Sequence, residues 1–502
     1  MSGRPVGEGL WTVRRRAWKR MTVMLWAACA GGPPPDAAGA APPPSQAPAA
    51  PAAALTGDWR GTLDTGLTRL RLEFHVTTVP GPGGAPALAG TLDSVDQQVL
   101  GLPIPSVSRE GDTVTFDIPA VLGGYTGTLS ADGQTLTGTW RQARQSRPLA
   151  LTRLTTAQIQ AEQARPQVPH PPFPYRTVSV AYDNPAAAGV RLAGTLTLPP
   201  GKGPFPAALL ITGSGPQDRD ETIEGHKPFL VLADALTRRG IAVLRVDDRG
   251  VGQSTGDFDA ATTPDFATDA AAGVAYLRGR ADIDPRRIGL IGHSEGGLIA
   301  PMVASRDPTI AWLVLMAGPG VDGETILLSQ KRLIAGATGV GASGAERLVD
   351  MDRREYAIVK DESDPERARA RLRILLQGGM MGGDNRIATS EAVIEAVTKP
   401  WYRWFLTYDP APALRTLRLP VLALVGSKDL QVSASENLPA LRAALADDPK
   451  AEAREVPGLN HMFQTADTGA PTEYARIPET IAPVALDLIT DWVAAHSRRP
   501  EQ

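Results

Sequence analysis

Arg287-Ile288-Gly289-Leu290-Ile291-Gly292-His293-Ser294-Glu295-Gly296, continued by Gly297-Leu298-Ile299-Ala300-Pro301-Met302-Val303-Ala304, decides how the larger part of this chain folds. An apolar, strand-like run passes through Gly-x-Ser-x-Gly into a helix-like run, which predicts a sharp strand-to-helix turn with Ser294 at its tip. A serine held there has strained backbone angles and neighbours too close for a β-carbon, so glycine is needed two residues before it and two after it. The turn lifts the Ser294 hydroxyl above the sheet and aims the N-terminus of the next helix at whatever reacts with it. A bare Gly-x-Ser-x-Gly is common in ordinary loops. The strand before it and the helix after it are what make Ser294 a candidate nucleophile.

An activated serine needs a base and an acid, expected downstream in the order acid, then histidine. The histidines beyond Ser294 are His461 and His496. His496 sits in the polar tail Ala495-His496-Ser497-Arg498-Arg499 and reads as a surface residue. His461 lies in Val456-Pro457-Gly458-Leu459-Asn460-His461-Met462-Phe463, a turn-rich loop between a short apolar strand and the final helix, Ile481 to Ala494. The buried-strand run Leu419 to Val425 ends in Gly426-Ser427-Lys428-Asp429, so Asp429 is the candidate acid, with Asp322 as a spare. In this scheme His461 takes the Ser294 proton while Asp429 fixes the imidazole tautomer. An oxyanion needs donors, and the backbone N–H of Glu295 is one candidate. The others are Ser214 and Gly215, in the glycine-rich loop after Pro206-Ala207-Ala208-Leu209-Leu210-Ile211-Thr212. That loop is a poor phosphate cradle, because no Lys-Ser/Thr follows it.

Leu210-Ile211-Thr212-Gly213-Ser214-Gly215-Pro216-Gln217-Asp218-Arg219-Asp220-Glu221, Asp247-Asp248-Arg249-Gly250-Val251-Gly252-Gln253-Ser254, Gly292-His293-Ser294-Glu295-Gly296-Gly297 and Gly458-Leu459-Asn460-His461 occur in that order. Together they resemble bacterial α/β-hydrolase-fold carboxylesterases, a group that takes in serine aminopeptidase-like hydrolases. The resemblance runs from about residue 175 to 495. It implies ester hydrolysis with no metal and no organic cofactor, and leaves the substrate open, because one fold and one triad serve esters, thioesters and amides alike.

Outside that stretch the chain changes character. Residues 1–32 join a basic run, Arg14-Arg15-Arg16-Ala17-Trp18-Lys19-Arg20, to a short apolar run ending in small residues, as in an export signal; a membrane span would need about 20 apolar residues. Cys29, the single cysteine, sits where a lipoprotein signal would place its lipidated residue, although Trp26 stands where leucine is usual. One cysteine excludes an intrachain disulfide. Localisation is therefore expected to be exported, periplasmic or associated with the outer envelope, with membrane anchoring if Cys29 is acylated. Residues 33–54, almost wholly Pro, Ala and Gly, form an extended linker.

Residues 55–154 hold short alternating runs such as Leu70 to Val76 and Thr113 to Ile118, separated by turns such as Ala131-Asp132-Gly133. They predict an all-β accessory domain of roughly six to eight antiparallel strands, a small barrel or sandwich whose Gly57-Asp58-Trp59 and Gly138-Thr139-Trp140 resemble lipocalin-like strands. Trp59 and Trp140 read as core plugs, and His75 as a strand-surface residue. From residue 175 to 495 an edge hairpin leads into alternating strands and amphipathic helices, predicting a doubly wound, mostly parallel sheet of the α/β class. An insertion at about 323–412 is too long for a loop and reads as a helical cap over Ser294. Its aromatic run Trp401 to Tyr408 and the loop Gly378 to Gly383 nominate Trp404, Phe405, Met380 and Met381 for an apolar substrate pocket.

With 502 residues, 42% hydrophobic content and a net charge of −3, the chain can bury two cores and has no basic surface for nucleic acid beyond the N-terminal segment. Oligomeric state is left open. The expected activity is hydrolysis of small-molecule esters with short to medium acyl chains through an acyl-enzyme on Ser294. A serine peptidase or thioesterase on the same fold is the near alternative. A non-catalytic envelope ligand-binding protein is the remote one, against which the intact set Ser294, Asp429 and His461 argues.

Overall fold

The computed structural model describes residues 55–498, apart from 66–68, 82–84, 95–98, 143–144 and 379–383. The expected export signal, the linker, Cys29, Met380 and Met381 lie outside the described residues. The chain divides after Ala161 into two compact units.

In the first unit, strands β1 (Gly57–Asp64), β2 (Arg69–Pro80), β3 (Pro86–Ser94), β4 (Val99–Glu110), β5 (Thr113–Ile118), β6 (Gly123–Leu129), β7 (Thr135–Gln142) and β8 (Gln145–Arg153) pair in chain order into a closed barrel. Closure comes from β1 pairing with β8, Trp59 opposite Arg153 and Arg60 opposite Thr152. Alternation decides what faces inward: β5 buries Val114, Phe116 and Ile118 and turns Thr113 and Asp117 outward. The interior is filled by side chains, with Trp59, Phe74, Phe116 and Tyr125 fully buried and ring centroids 5.1 Å apart for Phe74 and Phe116. Trp140 is buried with them, and the Trp59 indole donates to the Leu55 carbonyl at 3.0 Å. The Tyr125 hydroxyl has no hydrogen-bond partner among the described residues. On the outer face, His75 lies between two carboxylates, Nδ1 2.6 Å from Asp58 and Nε2 3.2 Å from Asp93.

The second unit is an α/β body. Its eight-stranded sheet has the order β16-β15-β14-β13-β11-β12-β10-β9. The strands are β9 (Arg176–Asp183), β10 (Arg191–Leu198), β11 (Phe205–Ile211), β12 (Ala242–Val246), β13 (Ile283–His293), β14 (Leu313–Met316), β15 (Val421–Gly426) and β16 (Ala451–Val456). β9 and β10 form the antiparallel hairpin, and the strands from β11 to β16 run parallel to their neighbours apart from the β10–β12 pair. Parallel strands are covered on both faces, so they read as unbroken apolar runs; every residue of β15 is buried. Helices α1 (Pro228–Arg238), α2 (Thr263–Arg278) and α3 (Gly296–Ala304) follow β11, β12 and β13. One face of the sheet packs on α2 and α10 (Ala434–Ala444), the other on α1 and α11 (Pro483–His496).

β11 lies between β12 and β13, so the chain leaves it in one direction and returns on the other side. The carboxyl ends of β11 and β13 therefore open a crevice, the usual site for ligands on an open α/β sheet. Between β14 and β15 come α4 (Gly323–Ala337), α5 (Ala342–Asp361), α6 (Pro365–Gly378), α7 (Asp384–Val397), α8 (Pro400–Thr407) and α9 (Ala411–Arg415).

Candidate active site

Ser294 sits between the end of β13 and the start of α3 with φ of 53°, a left-handed conformation that costs a non-glycine residue energy and persists only where the surroundings impose it. They do so here. The Ser294 N–H donates to the Met316 carbonyl at 2.8 Å, tying the turn to β14. A β-carbon on Gly292 would lie 2.0 Å from the Gly296 carbonyl oxygen, and one on Gly296 would lie 2.2 Å from that of Ile211. Both glycines are thus required by backbone against backbone, with no side chain able to yield.

Asp429 stands in the turn after β15. Its Oδ1 accepts the N–H groups of Gln431 and Val432, each at 2.8 Å, which leaves Oδ2 for His461 Nδ1 at 2.9 Å. His461 is presented by the loop after β16, which is folded around buried Asn460. The Asn460 side-chain oxygen accepts the N–H groups of Met462 at 3.0 Å and Gln464 at 2.9 Å. The His461 carbonyl accepts from Nε2 of His293 at 3.0 Å, so His461 is anchored to the residue immediately before Ser294. The structure thus brings Ser294, Asp429 and His461 to the carboxyl end of one sheet. The other candidates are spent elsewhere: Asp322 caps α4 by accepting the Thr325 N–H at 3.0 Å, and His496 Nδ1 donates to the Trp492 carbonyl at 2.9 Å.

The loop after β11 is braced from beneath. Asp248, partly buried, accepts from the Thr212 hydroxyl at 2.7 Å and the Gln217 N–H at 2.8 Å. Burial pushes its carboxyl well above the usual range, against the pull of those donors. Asp247 takes the Arg219 guanidinium on both oxygens, at 3.0 and 2.6 Å; despite burial, that cation holds Asp247 below the usual range. Arg245 pairs with Asp220, and Arg249 pairs with Asp269 at 2.7 Å. Gly215, with φ of 97°, takes a backbone conformation in this loop that favours glycine. Gly213 faces the serine directly, a β-carbon there lying 3.1 Å from the Ser294 β-carbon. Among the described residues the backbone N–H groups of Glu295 and Ser214 meet no acceptor, which leaves both available to an oxyanion.

Two buried groups were not singled out as functional from the sequence. Glu221, itself at φ of 52°, accepts the Gly213 N–H at 2.7 Å and faces His293 Nδ1 at 2.9 Å. Burial works against a charged His293, but the facing Glu221 carboxylate outweighs it and raises the imidazole above its ordinary value. The chain Gly213, Glu221, His293, His461 therefore links the glycine-rich loop to the base. A histidine at the end of an apolar strand, with an acid-rich run elsewhere in the same motif set, was the available signal. The Glu295 carboxyl is buried too, and burial pushes it up against donors from Thr263, Trp401 and Ser214.

A cavity of about 50 Å³ lies behind this loop, lined on its apolar side by Leu192, Ile211, Phe258 and Phe266 and on its polar side by Asp248 and Glu295. Of the residues nominated for a substrate pocket, Phe405 is buried and stacked on Trp401 at 4.9 Å, and Trp404 stacks on Tyr408 at 4.4 Å. Neither lines that cavity. Among the described residues no cluster of three or more His, Cys, Asp or Glu side chains is placed to hold a metal ion.

Parts of this chain are similar to known proteins. Esterase EstD of Thermotoga maritima is 27% identical over 286 residues, 57% of this chain and 61% of its own length. The putative hydrolase YtaP of Bacillus subtilis is 31% identical over 125 residues, 22% of this chain and 42% of its own. The chain thus spans about three fifths or less of these relatives. Among solved structures, the alpha/beta hydrolase GrgF from Penicillium aligns at 15% identity and a TM-score of 0.40, covering 64% of this chain and 99% of that one. The Pyrococcus furiosus esterase Pf2001 aligns at 14% and 0.40, covering 66% and 96%. Residues 188–445, more than half of the 502-residue chain and including both Ser294 and Asp429, match the family described as X-Pro dipeptidyl-peptidase (S15 family), and the chain belongs to that family.

Proposed function

We propose that this protein is a serine esterase that cleaves carboxylic esters of short to medium acyl chains through an acyl-enzyme on Ser294. The observation that carries the reading is the 2.9 Å bond from His461 to Asp429, with His461 anchored through its carbonyl to the residue preceding a serine held at φ of 53°. Ser294 Oγ attacks the ester carbonyl carbon while His461 Nε2 takes its proton, and Asp429 steadies the proton on Nδ1. The tetrahedral oxyanion meets the N–H groups of Glu295 and Ser214 or Gly215. As the carbon–oxygen bond to the alcohol breaks, His461 returns the proton to the leaving oxygen. Water then adds to the acyl carbonyl by the same route in reverse and releases the acid.

The name of the relative EstD supports ester cleavage, whereas the family description supports a second reading, peptide cleavage after proline. The two are separated by measuring turnover of p-nitrophenyl esters from acetate to palmitate beside X-Pro p-nitroanilides, with Ser294→Ala as control. Ester turnover lost in Ser294→Ala supports the esterase; anilide turnover without ester turnover would replace it. Export and acylation of Cys29 belong to the same proposal; labelled palmitate that enters the full chain equally in Cys29→Ala would remove the anchor.

A further inference from the structure

The Glu295 side chain has no part in the reaction as proposed, yet it is almost fully buried and holds more partners than packing requires. Its Oε1 accepts the Thr263 hydroxyl at 2.5 Å and the Trp401 indole N–H at 2.7 Å. Thr263 opens α2, and Trp401 belongs to α8 of the insertion. One carboxyl therefore joins the insertion to the body. Trp401 is itself held, stacked on Phe405 with an interplanar angle of 16° and edge-on to Tyr402 at 5.8 Å. At the start of α8, Lys399 pairs with Asp259 of the β12–α2 loop at 2.9 Å, a second tie in the same place.

We propose that Glu295 is a positioning residue: its carboxyl latches the cap, through the Trp401 indole, to the segment whose backbone N–H receives the oxyanion. The inference rests on the esterase reading for its catalytic half, and on the hydrogen bonds alone for the latch. Side chain and N–H share one α-carbon, so a cap seated on the carboxyl holds the donor in place. A cap lifted from it lets the donor drift. Because that donor acts on charge that develops only in the transition state, loosening the latch falls on kcat rather than on KM.

The test uses the full chain labelled with ¹⁵N-tryptophan, and Trp401→Phe assigns the indole signal. Indole hydrogen exchange is expected to be slow in the wild type, still slow in Glu295→Gln, whose amide oxygen accepts the same bond, and at least about tenfold faster in Glu295→Ala. Trp401→Phe is expected to lower kcat for p-nitrophenyl butyrate about tenfold with KM held within about twofold, and to add nothing in a Glu295→Ala background. Equal exchange in wild type and Glu295→Ala overturns the latch, as does a Trp401→Phe variant whose whole effect is on KM. A wild type with a protected indole and no ester turnover would defeat the esterase reading and leave the latch. An active wild type with an unprotected indole would defeat the latch alone.

Discussion

Replacing Asp429 with asparagine exchanges one carboxylate oxygen for an NH₂ and should silence the site through a tautomer. Oδ1 is claimed by the N–H groups of Gln431 and Val432, so the new side chain must keep its amide oxygen there and turn its NH₂ toward His461. Nδ1 of His461 then has to accept, its proton moves to Nε2, and the nitrogen that acts as base in the proposed reaction can no longer take a proton. The alternative is to flip the amide, which sets an NH₂ against two buried N–H donors. With about 1–3 kcal/mol for each donor left unpaired, the flip costs about 2–6 kcal/mol. That cost limits the escape, and at about 1.36 kcal/mol per factor of ten it sets the loss in kcat at about thirtyfold to twenty-five-thousandfold. The assay is p-nitrophenyl butyrate turnover near pH 8, with thermal melting to show that the isosteric variant remains folded. A folded Asp429→Asn that keeps more than about a tenth of wild-type kcat would refute the reasoning.

Three further outcomes follow from other parts of the molecule. His293→Phe removes the side-chain partner of Glu221, a carboxylate with 1% exposure that keeps only the Gly213 N–H among the described residues, and is expected to cost about 3–5 kcal/mol in urea unfolding of the second unit; a loss below about 1 kcal/mol would mean that the pair does not hold this unit together. Asp93, with Asp58 adding to it, holds His75 up at about 9 against the opposing effect of burial. Because the folded value lies above the ordinary one, the contribution is full below about pH 6.5 and lost as pH rises through 9, about 1 kcal/mol after allowance for solvent screening; barrel melting that is flat over this window, or that falls equally in His75→Ala, contradicts it. Tyr125→Phe removes a hydroxyl that has no partner among the described residues of the barrel core and is expected to leave stability unchanged or raise it by up to about 1 kcal/mol, whereas a loss beyond about 1 kcal/mol would reveal a bond to that oxygen.

What the sequence discloses tracks how local the physical cause is. Gly292 and Gly296 are demanded by contacts within a few residues of Ser294 and with the adjacent strand, so the turn shows in the letters themselves. Asp429 and His461 are readable because each ends a strand-like run and the order along the chain restricts the choice. Barrel against sandwich was undecided, since closure depends on the register of Trp59 against Arg153, a pairing between the two ends of the unit that alternation does not encode. The aromatic run 401–408 was legible as important, but its direction was not. Trp401, passed over in the sequence, is the member that bonds to Glu295, while Trp404 and Phe405 stack within the cap helix and its margin. Glu221 and His293 went unassigned because their partnership spans β11 to β13 and exists only once the sheet has formed.

Closing β1 onto β8 also governs how copies of this protein meet one another. A closed barrel has no unpaired rim of N–H and C=O groups, so its strands cannot recruit a strand from another molecule. In the catalytic unit the exposed rims are β9 and β16, and both carry charge. β16 reads Ala-Glu-Ala-Arg-Glu-Val, with Glu452 and Arg454 paired, and Asp183 at the end of β9 pairs with Arg191. A second strand docking on either rim would have to strip water from those groups. Strand-to-strand pairing is therefore opposed by connectivity in one unit and by charge at the rims of the other.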